Sequence, residues 1–257
     1  KKSGSFLDNL GKIYLMYTGT FILFVIGLGI GEKMGMSNKM IGYMFMFCTI
    51  GIYALIGVMS RTSKVSEYYV AGRSVPAFFN GMATGSDWMS AASFISMAGA
   101  IYALGYDGLS YVMGWTGGYV LLAVFLGPYL RKFGQYTIPD FLGARYGGHA
   151  ARTIGIIAAI TASFTYLIAQ VTGVGIIMSR FLGIDFQIGV FVGLGGILVC
   201  SMLGGMKAVT WTQVAQYIIL ILAYLTPVTV MSYKATGVPI SEIMYGQVLQ
   251  KIDAREK

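Results

Sequence analysis

Charge is what this sequence has least of. Only 11% of its 257 residues are Asp, Glu, Lys or Arg, and a soluble domain carries roughly twice that share. With 56% of residues hydrophobic, a water-covered globular surface is excluded. Histidine appears once, as His149, and cysteine twice, as Cys48 and Cys200. Both cysteines fall within apolar runs and read as small buried or lipid-facing residues. One histidine with two distant thiols cannot build a metal site. No Ser/His/Asp grouping, phosphate-binding loop or paired carboxylate occurs within the apolar runs. The chain is therefore not expected to be an enzyme, and it offers no catalytic residue.

What it has instead is length without charge. Charge-free runs cover 13–30, 40–60, 108–130, 153–179, 186–206 and 208–233, and 74–106 is interrupted only by Asp87. Each can cross a hydrocarbon core of about 30 Å. The expectation is an all-α membrane protein with seven spans. The first run has no small-residue cleavage site and a second span follows closely, so it is not read as a signal peptide.

The formal net charge of +8 points to topology rather than nucleic acid, because the basic residues alternate between loops. Arg61, Lys64 and Arg73 share one loop, and Arg131, Lys132, Arg145 and Arg152 share another. Lys207 lies between the last two spans, and Lys1, Lys2 and Lys12 precede the first. Lys33, Lys39 and Arg180 fall on the poorer side. This places the N-terminus in the cytoplasm and the tail from about 234 outside. The loop RKFGQYTIPDFLGARYG is expected to be solvated; a short interfacial helix beginning at Asp140 is the alternative.

The third span carries the chemistry. Residues 74–106, FNGMATGSDWMSAASFI at their centre, are too long for one untilted crossing. They hold a carboxylate that costs about 2.5–3.5 kcal/mol at mid-bilayer. Pro76, Gly81, Gly85 and Gly99 favour a broken or bent helix. Unwinding near Gly85–Ser90 would free carbonyls, which are tolerated only against protein or a cavity. Such carbonyls, with small hydroxyls, suit a hard cation such as sodium, and a half-helix N-terminus suits an anionic solute. The plainer alternative is close packing, with Asp87 paired to a neighbouring helix. On the fifth span Ser163, Tyr166 and Gln170 share a face, as packing contacts or as solute contacts. Gly173, Gly175, Gly193 and Gly196 read as sites of close helix packing.

Four ordered motifs now carry a resemblance: EYYVAGRSVPAF at 67–78, GSDWMSAASF at 85–94, YTIPDFLGARYG at 136–147 and GGMKAVTWTQVAQ at 204–216. Together they resemble the solute:sodium symporter family, and most of all its acetate and monocarboxylate permease branch. A weaker resemblance is to large subunits that pair with a small two-helix membrane protein.

The resemblance implies a LeuT-type fold of two inverted five-helix units. Residues 1–61 would be two leading helices, 62–233 the first unit, and 234–257 an extracytoplasmic tail or the start of a second half. That second half is absent from this sequence and would follow or come from another chain. Implied sodium contacts are the carbonyls of Ser86 and Met89, with Ser90. Implied solute contacts are Asp87, Trp88, Ser93, Tyr111, Tyr166 and Gln170. In proline carriers the essential aspartate falls one position later, at Trp88 here. Many relatives carry aspartate where this chain has Gln213, which bears on a second cation or proton step.

The implied activity is sodium-coupled uptake of a small monocarboxylate such as acetate across a bacterial inner membrane. Sodium is the coupling ion, and no organic cofactor or nucleic acid is involved. Proline, sugar or vitamin cargo, or a transporter-like sensor module, are the alternatives.

Overall fold

The computed structural model describes residues 9–256, and among them every regular element is helical. Two helices lead: α1, Leu10–Lys33, and α2, Asn38–Met59. Ser37 caps α2 by accepting the Met40 N–H. A short α3, Val65–Val70, then runs through a tight turn at Ala71–Arg73 into α4, Ala77–Trp88. After a gap at Met89–Ser90 the chain resumes through a π turn, Ala92–Ser96, into α5, Met97–Leu104. Helix α6, Leu109–Leu121, continues by a second π turn into α7, Gly127–Phe133. Then come α8, Ile138–Tyr146, α9, Gly148–Leu182, α10, Phe186–Thr236, and α11, Ser241–Glu256.

Five helical stretches are long and apolar enough to cross a membrane: Leu10–Lys33, Asn38–Met59, Ala92–Phe133, Gly148–Leu182 and Ser201–Thr236. The seven apolar runs map onto them with three differences. Residues 74–106 do not form one span: α4 has 12 residues, about 18 Å, roughly half a bilayer core. The stretch Ala92–Phe133 holds α5 to α7 and is interrupted where Gly105 leaves the helical region (φ 63°, ψ −136°). Run 186–206 joins run 208–233 as α10, interrupted at Gly205 (φ 51°, ψ −141°), and only Phe186–Gly195 stands as a shorter apolar helix before it.

The loop 134–147 is also a correction, because it contains helix α8. Thr137 caps that helix by accepting the Asp140 N–H, and Pro139 occupies the first turn, where its missing N–H costs nothing. The Arg152 guanidinium holds Asp140 at 2.8 Å. The side chain of Cys200 and the placement of Gly196, Lys1 and Lys2 lie outside the described residues, whereas Cys48 is a half-buried free thiol on α2.

Long-range hydrogen bonds sort the helix ends onto two faces. Tyr43 on α2 donates to the Leu182 carbonyl at the end of α9 (3.0 Å). At the opposite end of α2, the Thr62 N–H reaches the Leu203 carbonyl of α10 (3.2 Å). Arg73 ahead of α4 donates to the Gly134 carbonyl after α7 (2.6 Å). One face therefore brings Arg73 against the loop that follows Arg131 and Lys132.

That face is clasped at the α10 break. Glu67 on α3 receives Lys207 at 2.7 Å, Lys64 at 3.3 Å and the Thr62 hydroxyl at 2.9 Å. The Lys207 ammonium, with Thr62 and Lys64 beside it, holds the Glu67 carboxyl down to about 2. A small core of Leu10, Ala83, Trp211 and Val214 joins α1, α4 and the second part of α10. Beyond it the chain is open: it exposes 17805 Å², and a compact soluble chain of this mass exposes roughly 11,000 Å².

Two outcomes follow from this clasp. A Cβ at Gly205 would meet the Tyr68 carbonyl at 2.6 Å, in backbone territory that costs on the order of 1–3 kcal/mol for other residues. Gly205→Ala should lower the melting temperature of the intact protein in detergent by several degrees, and Gly195→Ala, with no atom near its Cβ, should not. The Glu67 carboxyl is lowered from 4.5 to about 2, so its stabilisation is complete above pH 4.5 and lost as pH falls toward 2. The melting-temperature gap between the unaltered protein and Glu67→Gln should be flat at neutral and mildly acidic pH and close across that window.

Candidate functional site

The gap between α4 and the π turn is built from diverted hydrogen bonds. In an unbroken helix the N–H groups of Ser90, Ala91 and Ser93 would serve the carbonyls of Ser86, Asp87 and Met89. Here Ser90 N–H turns back to the Trp88 carbonyl at 2.8 Å, with Met89 at φ −73° and ψ 62°, an inverse γ-turn. Ala91 N–H leaves the segment altogether and donates to Gln170 Oε1 on α9 at 3.2 Å. Ser93 N–H faces Ser90 Oγ at 3.5 Å. Three of the four backbone donors from Ser90 to Ser93 are thus redirected, and the carbonyls of Ser86, Asp87 and Met89 are released from the ladder.

Neighbouring helices support the break closely. A Cβ on Gly173 would lie 2.6 Å from Ala91 Cβ, so α9 approaches where only glycine fits. The expected tight packing at Gly175 and Gly193 is also present, against Phe186 and Val174. On α10, Gln213 Nε2 donates to Asp87 Oδ1 at 3.1 Å, and the Tyr217 ring lies 3.0 Å from a Cβ built on Gly85. Further along, Tyr224 donates to the Ser93 carbonyl at 3.3 Å and packs edge-on against Phe94 at 4.3 Å between centroids. Ser93 Oγ in turn donates to the Trp88 carbonyl at 2.9 Å. Trp88 meets Trp115 of α6 edge-on at 6.0 Å.

Three buried polar atoms here have no protein partner: Ser86 Oγ, Gln170 Nε2 and Trp115 Nε1. Ser86 is 5% exposed. A buried hydroxyl beside released carbonyls makes a set of hard oxygen donors, the chemistry a small monovalent or divalent cation accepts. The unpartnered amide and indole N–H groups suit an oxygen-bearing solute.

Of the residues singled out from sequence, Ser86, Asp87, Trp88, Met89, Ser90, Ser93 and Gln170 come together at the break. Tyr111 and Tyr166 sit one turn from Trp115 and Gln170, and they are 57% and 51% exposed. Neither takes part in the hydrogen bonds and ring contacts that hold the break. Sequence reasoning did not reach Trp115, Tyr217 and Tyr224, nor the pairing of Gln213 with Asp87. The signal available was a polar and aromatic stripe on α10, where 213, 217 and 224 recur at helical spacing.

Gln170→Leu removes the acceptor of the Ala91 N–H, and a buried donor left bare costs about 1–3 kcal/mol. Thermal unfolding of the intact protein should drop accordingly, while Tyr166→Phe should stay within about 0.5 kcal/mol of the unaltered protein.

Comparison with known proteins converges on one group. The sodium:solute symporter family pattern matches residues 68–252. A protein of Cupriavidus necator described as an uncharacterized symporter is 54% identical over 253 residues, covering 95% of this chain. The chain spans 37% of that relative's length. No solved structure matches.

Proposed function

This chain belongs to the sodium:solute symporter family, and on that premise we propose that it forms the front part of a carrier coupling sodium entry to uptake of a small monocarboxylate, acetate being the representative. The supporting observation is the release of the Ser86 and Met89 carbonyls by the diverted N–H groups of Ser90 and Ser93. Sodium sits against those two carbonyls, with the Ser90 hydroxyl beside them. The solute carboxylate takes the unpartnered Gln170 amide N–H and the hydroxyl of Ser93, which turns from the Trp88 carbonyl to donate to it, with Trp88 as an apolar wall. Tyr111 and Tyr166 join this wall when the bundle closes on solute.

Charge sets the order of events. Asp87 repels a carboxylate, and a sodium ion bound first offsets that repulsion. Loading both then shifts the population between states open to opposite sides of the membrane. In this reading residues 62–233 are the first of two inverted five-helix units, 1–61 lead into it, and 234–257 begin the passage to the second. The second unit contributes the remaining sodium ligands and covers the exposed face of Asp87. The basic face is cytoplasmic by the distribution of Arg and Lys.

The intact carrier in proteoliposomes should accumulate labelled acetate with sodium outside and fail to do so with choline. Ser86→Pro, which disturbs the carbonyl geometry, should abolish the sodium-dependent part. Equal uptake in sodium and choline would overturn the coupling, and sodium-driven uptake that unlabelled acetate does not compete would overturn the cargo.

A further inference from the structure

A cavity of about 780 Å³ opens on the basic face and takes none of its lining from the gap at Met89–Ser90. Its walls come from segments remote in sequence: the turn before α4, the start of α4, the end of α7 and the loop to α8, and the second part of α10. Arg73 and Arg131 bring two guanidinium groups to it, and Asn80 and Gln135 bring neutral polar groups, with no acidic side chain in the lining.

The carboxylates nearby in the fold are committed elsewhere, Glu67 to Lys207 and Lys64, and Asp140 to Arg152. Arg131 forms no ion pair among the described residues. Arg73 gives one donor to the Gly134 carbonyl and lies over the Tyr136 ring at 5.9 Å. A guanidinium carries five N–H donors, so most of its capacity is unused. The backbone holds Arg73 there at some strain: Ala71, Gly72 and Arg73 have φ of 49°, 64° and 53°, a region that L side chains rarely enter.

Two uncompensated guanidinium groups over a shared space recognise an oxyanion, and phosphate best of all. Size separates the sources. A two-carbon acid displaces only a few waters, each on the order of 30 Å³, and would rattle in this volume. The remaining lining includes Val75, Leu130, Ile138 and Phe141, an apolar wall where the basic loops meet the membrane spans. That combination suits a headgroup that continues into an acyl chain.

We propose that this cavity binds the phosphodiester headgroup of an anionic membrane phospholipid between Arg73 and Arg131. The site is independent of the transport reading and can fail or hold without it.

Native mass spectrometry of the intact protein, titrated with phosphatidylglycerol or phosphatidylethanolamine, tests this. One phosphatidylglycerol should be retained at least tenfold more tightly than phosphatidylethanolamine. Arg73→Gln with Arg131→Gln should remove that preference. Arg131→Gln alone, which disturbs no side-chain bond among the described residues, should weaken retention severalfold at unchanged melting temperature, and Arg145→Gln should leave it intact. Equal retention by the double variant overturns the proposal. Displacement of the lipid by millimolar inorganic phosphate or acetate overturns it too, since that would mark a site for free anions.

Discussion

Everything at the centre of this bundle depends on one hydrogen bond that leaves its own helix. A membrane helix normally satisfies its backbone internally because lipid offers no partners. At Ala91 the N–H crosses to Gln170 on α9, and that single departure makes the gap at Met89–Ser90 affordable. Without an acceptor on α9, the segment would have to close its ladder and recapture the carbonyls of Asp87 and its neighbours. Gly173 one turn on lets α9 approach within reach, so the acceptor and the space for it come from the same helix face.

Much of this was legible in the sequence because lipid enforces a severe rule. A lone carboxylate and a cluster of Gly and Ser inside an apolar run have few explanations, and the structure contains both that the sequence offered, a broken helix and an Asp87 paired to a neighbouring helix. The glycines themselves were a poorer guide: Gly85 serves contact with Tyr217 rather than unwinding, and the break falls four residues later. Pairings across long separations were not legible. Asp87 and Gln213 are 126 positions apart, and nothing local in either segment names the other. Helix α8, legible only as the alternative reading of its loop, was obscured for a different reason. Its charges resemble a solvated loop until Thr137, Asp140 and Arg152 are seen to satisfy one another. The helix count differed because apolar runs report composition and not helix length: α4 has 12 residues and Phe186–Gly195 is short. The turns at Gly105 and Gly205, by contrast, fall beside Asp107 and Lys207, where the runs already ended.

The exposed area sets the terms on which the fold exists. Most large apolar side chains of α5, α6 and α9 remain uncovered by protein, and the shared core is limited to where α1, α4 and α10 meet. Lipid can cover outward faces at no cost, but it cannot serve Ser86 Oγ or the amide of Gln170. Those polar faces call for water, solute or more protein. The clasp of Glu67 on Lys207 has the opposite character. It lies at the wet end, where charges are inexpensive, and fixes the α10 break to the loop that precedes α4.

Helix α10 also acts as a splint. Gln213 and Tyr217 attach it to the segment before the gap, and Tyr224 attaches it to the segment after. A joint splinted along one side cannot flex toward or away from the splint without tearing a contact. Elsewhere the gap is held by the Ala91 N–H bonded to Gln170 on α9 and by the edge-on meeting of Trp88 and Trp115 of α6. The two half-helices are therefore tied to three neighbours at once, and any change of angle between them must be shared by α6, α9 and α10.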